Sequence, residues 1–357
     1  MRLRIERRKE DPTKLSIFLM SIFSVLISLI ILGFIILSLG KDPIDAYVQL
    51  TSWPFGTIAG LTQTLISMMP LLFTSLGVLI AFKMKLWNIG AEGQFYMGAF
   101  AATWGALFLF NGISNPWIML PLLAVLAAAF GGAWGAASGW MKAKLGVNEI
   151  LSTLMLNYIA IYWVNYLVYG PWKGKGSYNF PITATFPKSA ILPQYTSDGL
   201  NLGIFLAVAM SFFVYYLLKW TKFGFHMDIV GDNSMAAKYS GINVGRMTII
   251  VMALSGAISG LGGMMQMSGV LFRLQPNFSP GYGYTAIIVA WLARLNPFVA
   301  IVVSFLFGGL LVGTQQIQLF LQIPFSLVSV FEGLVLFSLI SGEALLRYRI
   351  RLREVKS

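Results

Sequence analysis

The chain has 357 residues, 57% of them hydrophobic and 11% charged, with a mean hydropathy of +0.76 and a formal net charge of +12 at pH 7. A soluble globular domain carries roughly twice that charged fraction, so the composition is that of an integral membrane protein. It has no cysteine, hence no disulfide and no thiol chemistry, and its one histidine, His226, has no second metal ligand nearby.

Residues 1–14 form a basic tail. Leu15 to Leu39 reads as the first span, too long for a signal-peptide core and followed by no small-residue cleavage site. This run and several later ones exceed the roughly 18 residues a crossing helix needs, and they lack the period-2 alternation of a membrane barrel. A short outer segment with Lys41, Asp42, Pro43, Trp53 and Pro54 leads to the second span, Thr57 to Phe82. There Gln63, Ser67, Pro70 and Thr74 fall within roughly 60° of one helical face. Such a stripe faces the protein interior, and Pro70 is expected to kink the helix.

The stretch that organises the chain is Lys83-Met-Lys-Leu-Trp-Asn-Ile-Gly-Ala-Glu-Gly-Gln-Phe95. It packs Asn88, Glu92 and Gln94 among Gly90, Gly93 and Gly98, between two apolar runs. One reading is a connecting turn with two snorkelling lysines. The other is a helix end lining a pathway, with Glu92 near the positive N-terminal end of the next helix, because polar groups at a bilayer edge need protein or water around them.

The third span ends at Asn111, and the fourth, Trp117 to Trp140, carries Gly131, Gly132, Gly135 and Gly139, spacings that let helices approach closely. The fifth follows Gly146-Val-Asn-Glu149 and bears Glu149, Ser152, Thr153 and Asn157 over an arc of roughly 140°. Residues 171–200 are the longest outer loop; its Gly170-Pro-Trp-Lys-Gly-Lys-Gly-Ser177 superficially resembles a phosphate loop, but the glycine spacing is one residue short and Gly176 replaces the needed Ser/Thr. With no nucleotide-binding motif, the chain is not expected to hydrolyse ATP and has no catalytic residues.

The sixth span is Leu200 to Trp220. In the inner loop, residues 221–246, Asp232, Asn233 or Ser234 can cap a helix that Gly241 ends. About seven residues of helix are not stable alone in water, so this one packs either on the chain's own inner surface or on a cytoplasmic partner. The seventh span, Met247 to Val270, is again rich in small residues. Residues 276–295 read as a weak eighth span, broken or half-crossing, because Pro276, Pro280, Gly281 and Gly283 crowd its start. The ninth runs from Phe298 to about Leu319; the tenth, Pro324 to Leu345, holds Glu332, which must face inward or be protonated. A second basic tail covers 346–357.

The expected fold is therefore an all-α integral membrane protein, residues 15–345, with about ten transmembrane helices and broken or half-crossing helices near 83–95 and 276–295. Alternating the loops leaves only Lys41, Lys173, Lys175, Lys188 and Arg273 of the 25 Lys and Arg on the outer side, which puts both termini in the cytoplasm. The basic charge thus belongs to membrane orientation; no nucleic-acid partner, metal or cofactor is called for.

Five segments together resemble the permease subunits of ABC importers of the branched-chain amino acid, simple sugar and nucleoside type, with the nearest likeness to bacterial nucleoside-uptake permeases. They are Asn88-Ile-Gly-Ala-Glu-Gly-Gln94, Gly146-Val-Asn-Glu-Ile-Leu-Ser-Thr-Leu-Met-Leu-Asn-Tyr158, Gly231-Asp-Asn-Ser-Met-Ala-Ala-Lys-Tyr-Ser-Gly-Ile242, Leu254 to Gly263, and Gly281 to Ile287. The resemblance implies a prokaryotic plasma-membrane importer with two permeases (the second a related but different chain), cytoplasmic ABC ATPases and an extracytoplasmic substrate-binding lipoprotein. It makes the loop with Gly231, Asn233, Ala236, Ala237 and Gly241 the ATPase-coupling element. Two positions depart from the family pattern: Asp228, where a basic residue is usual, and Ala293, where a glycine is usual.

Gln63, Asn88, Glu92, Gln94 and Asn157 are the candidate substrate-path residues. Amide donors and acceptors with Trp87 nearby suit a base and a ribose, but also a simple sugar or a branched-chain amino acid. An ion-coupled secondary transporter, with Glu92 or Glu332 as proton site, is the reading from another class.

Overall fold

The computed structural model describes residues 2–7, 13–174, 180–322, 324 and 326–353. Lys175 and Gly176 of the phosphate-loop look-alike and parts of both basic tails lie outside the described residues. The chain divides into two compact units, Met1–Trp53 with Gly313–Ser357, and Pro54–Val312.

The first unit contains α1 (Lys14–Ser38), most of α2 (Pro43–Gly56), the end of α12 (Pro297–Leu321) and α13 (Ser326–Arg347). Thr13 caps α1 by accepting from the Ser16 N–H at 3.2 Å. α1 and α13 are held by hydroxyls inside an apolar contact: Ser24 donates to the Ser338 carbonyl at 3.0 Å, and Ser28 to the Ser338 hydroxyl at 3.2 Å. The expected short outer segment at 41–56 is instead a helix, α2, bent 119° from α1. Asp45 in its first turn favours that start, and the Tyr47 hydroxyl folds it back by donating to the Leu29 carbonyl. Its proline, Pro54, misled the sequence reading; it sits in the helix's last turn. Glu332 of α13 is buried. Outside the helices, β1 (Arg2–Arg7) pairs antiparallel with β2 (Tyr348–Arg353), Arg2 opposite Arg353 and Arg7 opposite Tyr348, so the fold is helical with one short ladder of terminal strands.

The second unit is built around α3 (Ile58–Lys83), α4 (Ala91–Trp104) and α10 (Val244–Gln266). α3 is largely apolar and mostly enclosed, its polar stripe included, and it runs through Pro70 as one element. α5 (Pro116–Leu145), α6 (Glu149–Tyr169) and α7 (Gly203–Trp220) surround this core, and α11 (Tyr282–Leu292) packs on α3 and α4. α4 and α10 each end in a π-helical turn, Gly105–Leu109 and Met267–Leu271.

Among the described residues, six helices are long and apolar enough to cross a membrane, or seven if the bent α1–α2 pair is one span. Ten full crossings are not seen. α11 has 11 residues, about 16 Å of helix against roughly 30 Å of hydrocarbon. The weak eighth span is a half-length helix.

The glycines read as packing residues hold α5 and α10 together. A Cβ at Gly256 would meet the Gly131 carbonyl oxygen at 2.3 Å, and one at Gly135 the Met252 carbonyl oxygen at 2.2 Å, so the two backbones touch. A Gly256→Leu variant must force these helices apart, at a cost of about 1–3 kcal/mol or more. It should lower the thermal stability of the solubilised chain, whereas Gly333→Leu, where a Cβ meets nothing within 4 Å, should not.

Candidate functional site

After Lys83 the chain leaves the helix, turns through Met84–Gly90, and re-enters it at Ala91. Each polar side chain of this turn has a defined partner. Asn88 and Gln94 face each other amide to amide: Asn88 Nδ2 donates to Gln94 Oε1 at 3.0 Å, and Gln94 Nε2 to Asn88 Oδ1 at 3.1 Å. Asn88 Nδ2 also donates to the Ser255 hydroxyl at 2.8 Å, which donates to the Gly77 carbonyl at 2.6 Å, tying the turn to α10 and α3. From α6, Asn157 joins the end of the turn to the first turn of α4: its Oδ1 accepts from Gly93 N at 2.7 Å, and its Nδ2 donates to the Ile89 carbonyl at 2.8 Å and the Tyr284 hydroxyl at 3.4 Å.

Glu92 completes the junction. It is buried in the first turn of α4, and its Oε2 accepts from the backbone N–H of Gly283, in the first turn of α11, at 2.6 Å. Ser279 lies beside the carboxylate, and its oxygen accepts from Gly281 N at 3.1 Å and Tyr282 N at 3.2 Å. Two helix N-termini, each with unpaired N–H groups and a positive dipole end, thus meet at one carboxylate. The approach depends on Gly283, where a Cβ would lie 2.1 Å from Glu92 N. The Thr74 hydroxyl and Tyr282 carbonyl oxygen, 3.4 Å apart, and a hydrogen bond between the Ser67 and Tyr282 side chains fix α11 against the polar stripe of α3.

The structure therefore brings Asn88, Glu92, Gln94 and Asn157 into one buried cluster. Gln63 lies apart, donating from Nε2 to the Asp198 carbonyl at 3.2 Å. Sequence reading missed Ser255, Ser279, Gly283 and Tyr284. The glycines around 281–283 signalled a broken helix, but nothing local shows that its first turn meets Glu92.

The second candidate element is the loop after α7. It holds two helices, α8 (Lys222–Asp232) and α9 (Ser234–Tyr239), where sequence reading gave one. Thr221 caps α8 through Gly224 N at 3.1 Å; Asn233 caps α9 through Met235 N at 3.0 Å and Ala236 N at 3.1 Å. Gly241, at φ +79°, follows the end of α9. Ala237 is buried, while Met235, Ala236 and Tyr239 are exposed. Gly231 packs on the end of α3, where its Cβ would meet the Lys83 carbonyl oxygen at 2.6 Å. Beside it Lys83 pairs with Asp228 at 2.7 Å and Lys85 approaches Asp232 at 3.7 Å. Trp87 then stacks on Trp291 near the far end of α11, ring centres 5.6 Å apart. Among the described residues no three His, Cys, Asp or Glu gather as metal ligands.

A helical membrane chain with a buried polar junction, a half-length helix and a capped helix pair at one loop has the parts of a transport subunit. Residues 60–340 match the family model described as branched-chain amino acid transport system / permease component. The chain belongs to this permease family. It is 33% identical over 360 residues to the glucose ABC transporter permease protein TsgB13 of Haloferax volcanii, covering 98% of this chain and 93% of that one. It is 29% identical to the guanosine ABC transporter permease protein NupP of Bacillus subtilis, covering 93% and 95%. A third relative is the nucleoside ABC transporter permease protein NupB of Lactococcus lactis, 27% identical over 84% of this chain and 82% of that one. The permease is a multi-pass plasma-membrane subunit of a prokaryotic ABC importer, is not itself an enzyme, and works with an ATPase carried by a separate chain.

The Lys83–Asp228 pair is testable by charge exchange. Its side chains are 31% and 46% exposed, so it contributes at most about 1 kcal/mol. Lys83→Asp and Asp228→Lys should each lower the stability of the solubilised permease, and the exchanged double variant should recover most of the loss. Purely additive losses would show that the pair contributes nothing.

Proposed function

We propose that this permease forms the translocation path of an ATP-driven nucleoside importer, with about ten membrane crossings, some of them broken or half-length, and both termini cytoplasmic. The observation that carries the substrate is full-length similarity to permeases named for guanosine and for nucleosides. A sugar is the second reading, favoured by the 33% identity to a permease named for glucose. The orientation is supported by the charge distribution and by the pairing of the terminal strands, which keeps both ends on one side.

The path residues of the proposal are Gln63, Asn88, Glu92, Gln94 and Asn157. The last four make their bonds within the chain, so the junction acts as a closed gate. When α11 parts from α4, the same amides and carboxylate turn to the hydroxyls and base edges of the solute. Asn157→Leu deletes the contacts to Gly93 and Ile89 at once, leaving buried groups unpaired at about 1–3 kcal/mol each. Uptake should be lost while the complex still assembles; normal uptake would return Asn157 to a packing role.

On the cytoplasmic side, α9 seats Met235, Ala236 and Tyr239 in a groove of the ATPase, with Gly231, Asn233, Ala237 and Gly241 shaping the seat. The second permease is a related but different chain, as supported by two permeases of B. subtilis both named for guanosine. The substrate-binding lipoprotein delivers from outside. Ala236→Arg should reduce ATPase binding and uptake together, leaving solute binding by the lipoprotein intact.

The substrate and the energy source are separated in one assay. Right-side-out vesicles holding ATP should accumulate labelled guanosine, resist excess glucose, and keep their uptake when the proton gradient is collapsed. Competition by glucose without uptake of guanosine would move the substrate to the sugar class. Uptake that follows the proton gradient without ATP would overturn the importer mechanism. For the orientation, thiols introduced by Lys188→Cys should react with an impermeant reagent outside intact cells, and those from Lys238→Cys should not.

A further inference from the structure

A helix face in contact with lipid carries aliphatic side chains along its middle and Trp or Tyr only near its ends, where their polar tips reach water. α5 follows this pattern: its exposed large residues are Trp117, Ile118 and Val125, then Trp140 and Leu145 close to its end. α7 does too, exposing Phe205, Leu206, Phe212 and Phe213 before Tyr216 and Trp220 in its last turns.

α6 does not. Its exposed face begins with Leu151, Met155 and Ile159, but from its middle onward it also carries Tyr158, Tyr162, Tyr166 and Tyr169, at 47%, 68%, 64% and 63% exposure, with Trp163 beside them. The four tyrosines fall within an arc of about 80° and rise over about 16 Å. No single membrane interface accommodates four hydroxyls so spread, and hydrocarbon offers them no partner. At the edge of the same stripe Asn165 has a buried side-chain oxygen with no hydrogen-bond partner. The column begins beside the polar junction: Tyr158 follows Asn157, whose amide donates to the Tyr284 hydroxyl. At its other end Tyr169 leads directly into the 171–200 loop.

We propose that this tyrosine column is a binding wall of the outer half of the transport path, running from the loop to the Asn157 junction. Its solutes are flat-ringed, hydroxyl-rich molecules. Ring faces stack on the phenols, hydroxyls exchange hydrogen bonds with the Tyr oxygens, and Asn165 Oδ1 accepts from a solute hydroxyl or amide. The continuity with the junction favours solute over a second permease as the occupant. This rests on the transport reading above but not on the choice of nucleoside over sugar.

The absence of native cysteine makes the test direct. Tyr162→Cys, Tyr166→Cys and, as a lipid-facing control, Val125→Cys are introduced singly into the complete importer. They are treated with a charged methanethiosulfonate reagent with and without guanosine or glucose. Thiols at 162 and 166 should react at least about tenfold faster than at 125, because the bilayer excludes the reagent, and transported solute should slow them. Tyr162→Phe, which keeps shape and loses only the hydroxyl, should raise the apparent KM for uptake about five- to tenfold with little change in maximal rate. Unreactive thiols, reaction without protection by either solute, or cross-linking at 162 or 166 to the second permease would each overturn the proposal. Protection by glucose and not guanosine keeps the column as a path wall while removing the nucleoside reading.

Discussion

The Glu92 carboxylate is the interaction on which the centre of this permease depends. Two helices cannot bring their N-terminal ends together in a buried place without an anion, because unpaired N–H groups and two positive dipole ends would face each other in low dielectric. Glu92 belongs to one of those ends and accepts from the other at 2.6 Å. An apolar residue there would leave Gly283 N unpaired, while Asn157 and Ser279 pair other N–H groups of the two ends. The glycine at 283 follows from this, since any side chain would separate the backbones that the carboxylate joins. So does the half length of α11: an interior helix start needs a partner for its first turn, and Glu92 and Ser279 provide it.

Contacts run without a gap from this carboxylate to the α8–α9 helix pair. Gly231 of α8 lies on the Lys83 carbonyl, Asp228 pairs with Lys83, and the turn after Lys83 carries Asn88, which is locked to Gln94. Trp87 of the same turn stacks on Trp291 of α11, so both ends of that short helix touch the Lys83–Gln94 stretch. The turn has no repeating backbone hydrogen bonds and is shaped by side-chain amides. The turn therefore stands between α8 and α11, with α3 and α4 on either side of it.

How much of this was legible in the sequence follows from which interactions are local. The Asn233 cap and Gly241 end of α9 lie within ten residues of each other and were readable. So was the glycine face of α10, since its spacing announces close helix contact whatever the partner. The Asn88–Gln94 pair spans one turn, and its polar residues stood out against apolar flanks. Pairings distant in sequence were not legible: Glu92 with Gly283, Asn157 with Ile89, and Asn88 with Ser255 exist only once four helices are assembled. The length and bend of individual helices were not legible for a related reason. An apolar run such as 276–295 announces burial, but a half-length helix in a protein interior is as apolar as one that crosses lipid.

The two departures from the family pattern show how local geometry decides what a substitution changes. Asp228 stands where a basic residue is usual, and its carboxylate turns back to Lys83 of its own chain at 2.7 Å. Reversing the usual sign there is compensated inside the chain, so it leaves the outward surface of α9 as it was. Ala293 replaces a glycine at the end of α11, but its φ is −70°, which any L-residue adopts, and its methyl is buried. The left-handed backbone falls one step later, on Arg294 at φ 51° and Leu295 at φ 57°. Two non-glycine residues in that conformation cost on the order of 1–3 kcal/mol each, and they persist because α11 and α12 hold the turn from both sides. The turn's strain is therefore set by its length and by those two residues, and a methyl group at position 293 adds nothing to it.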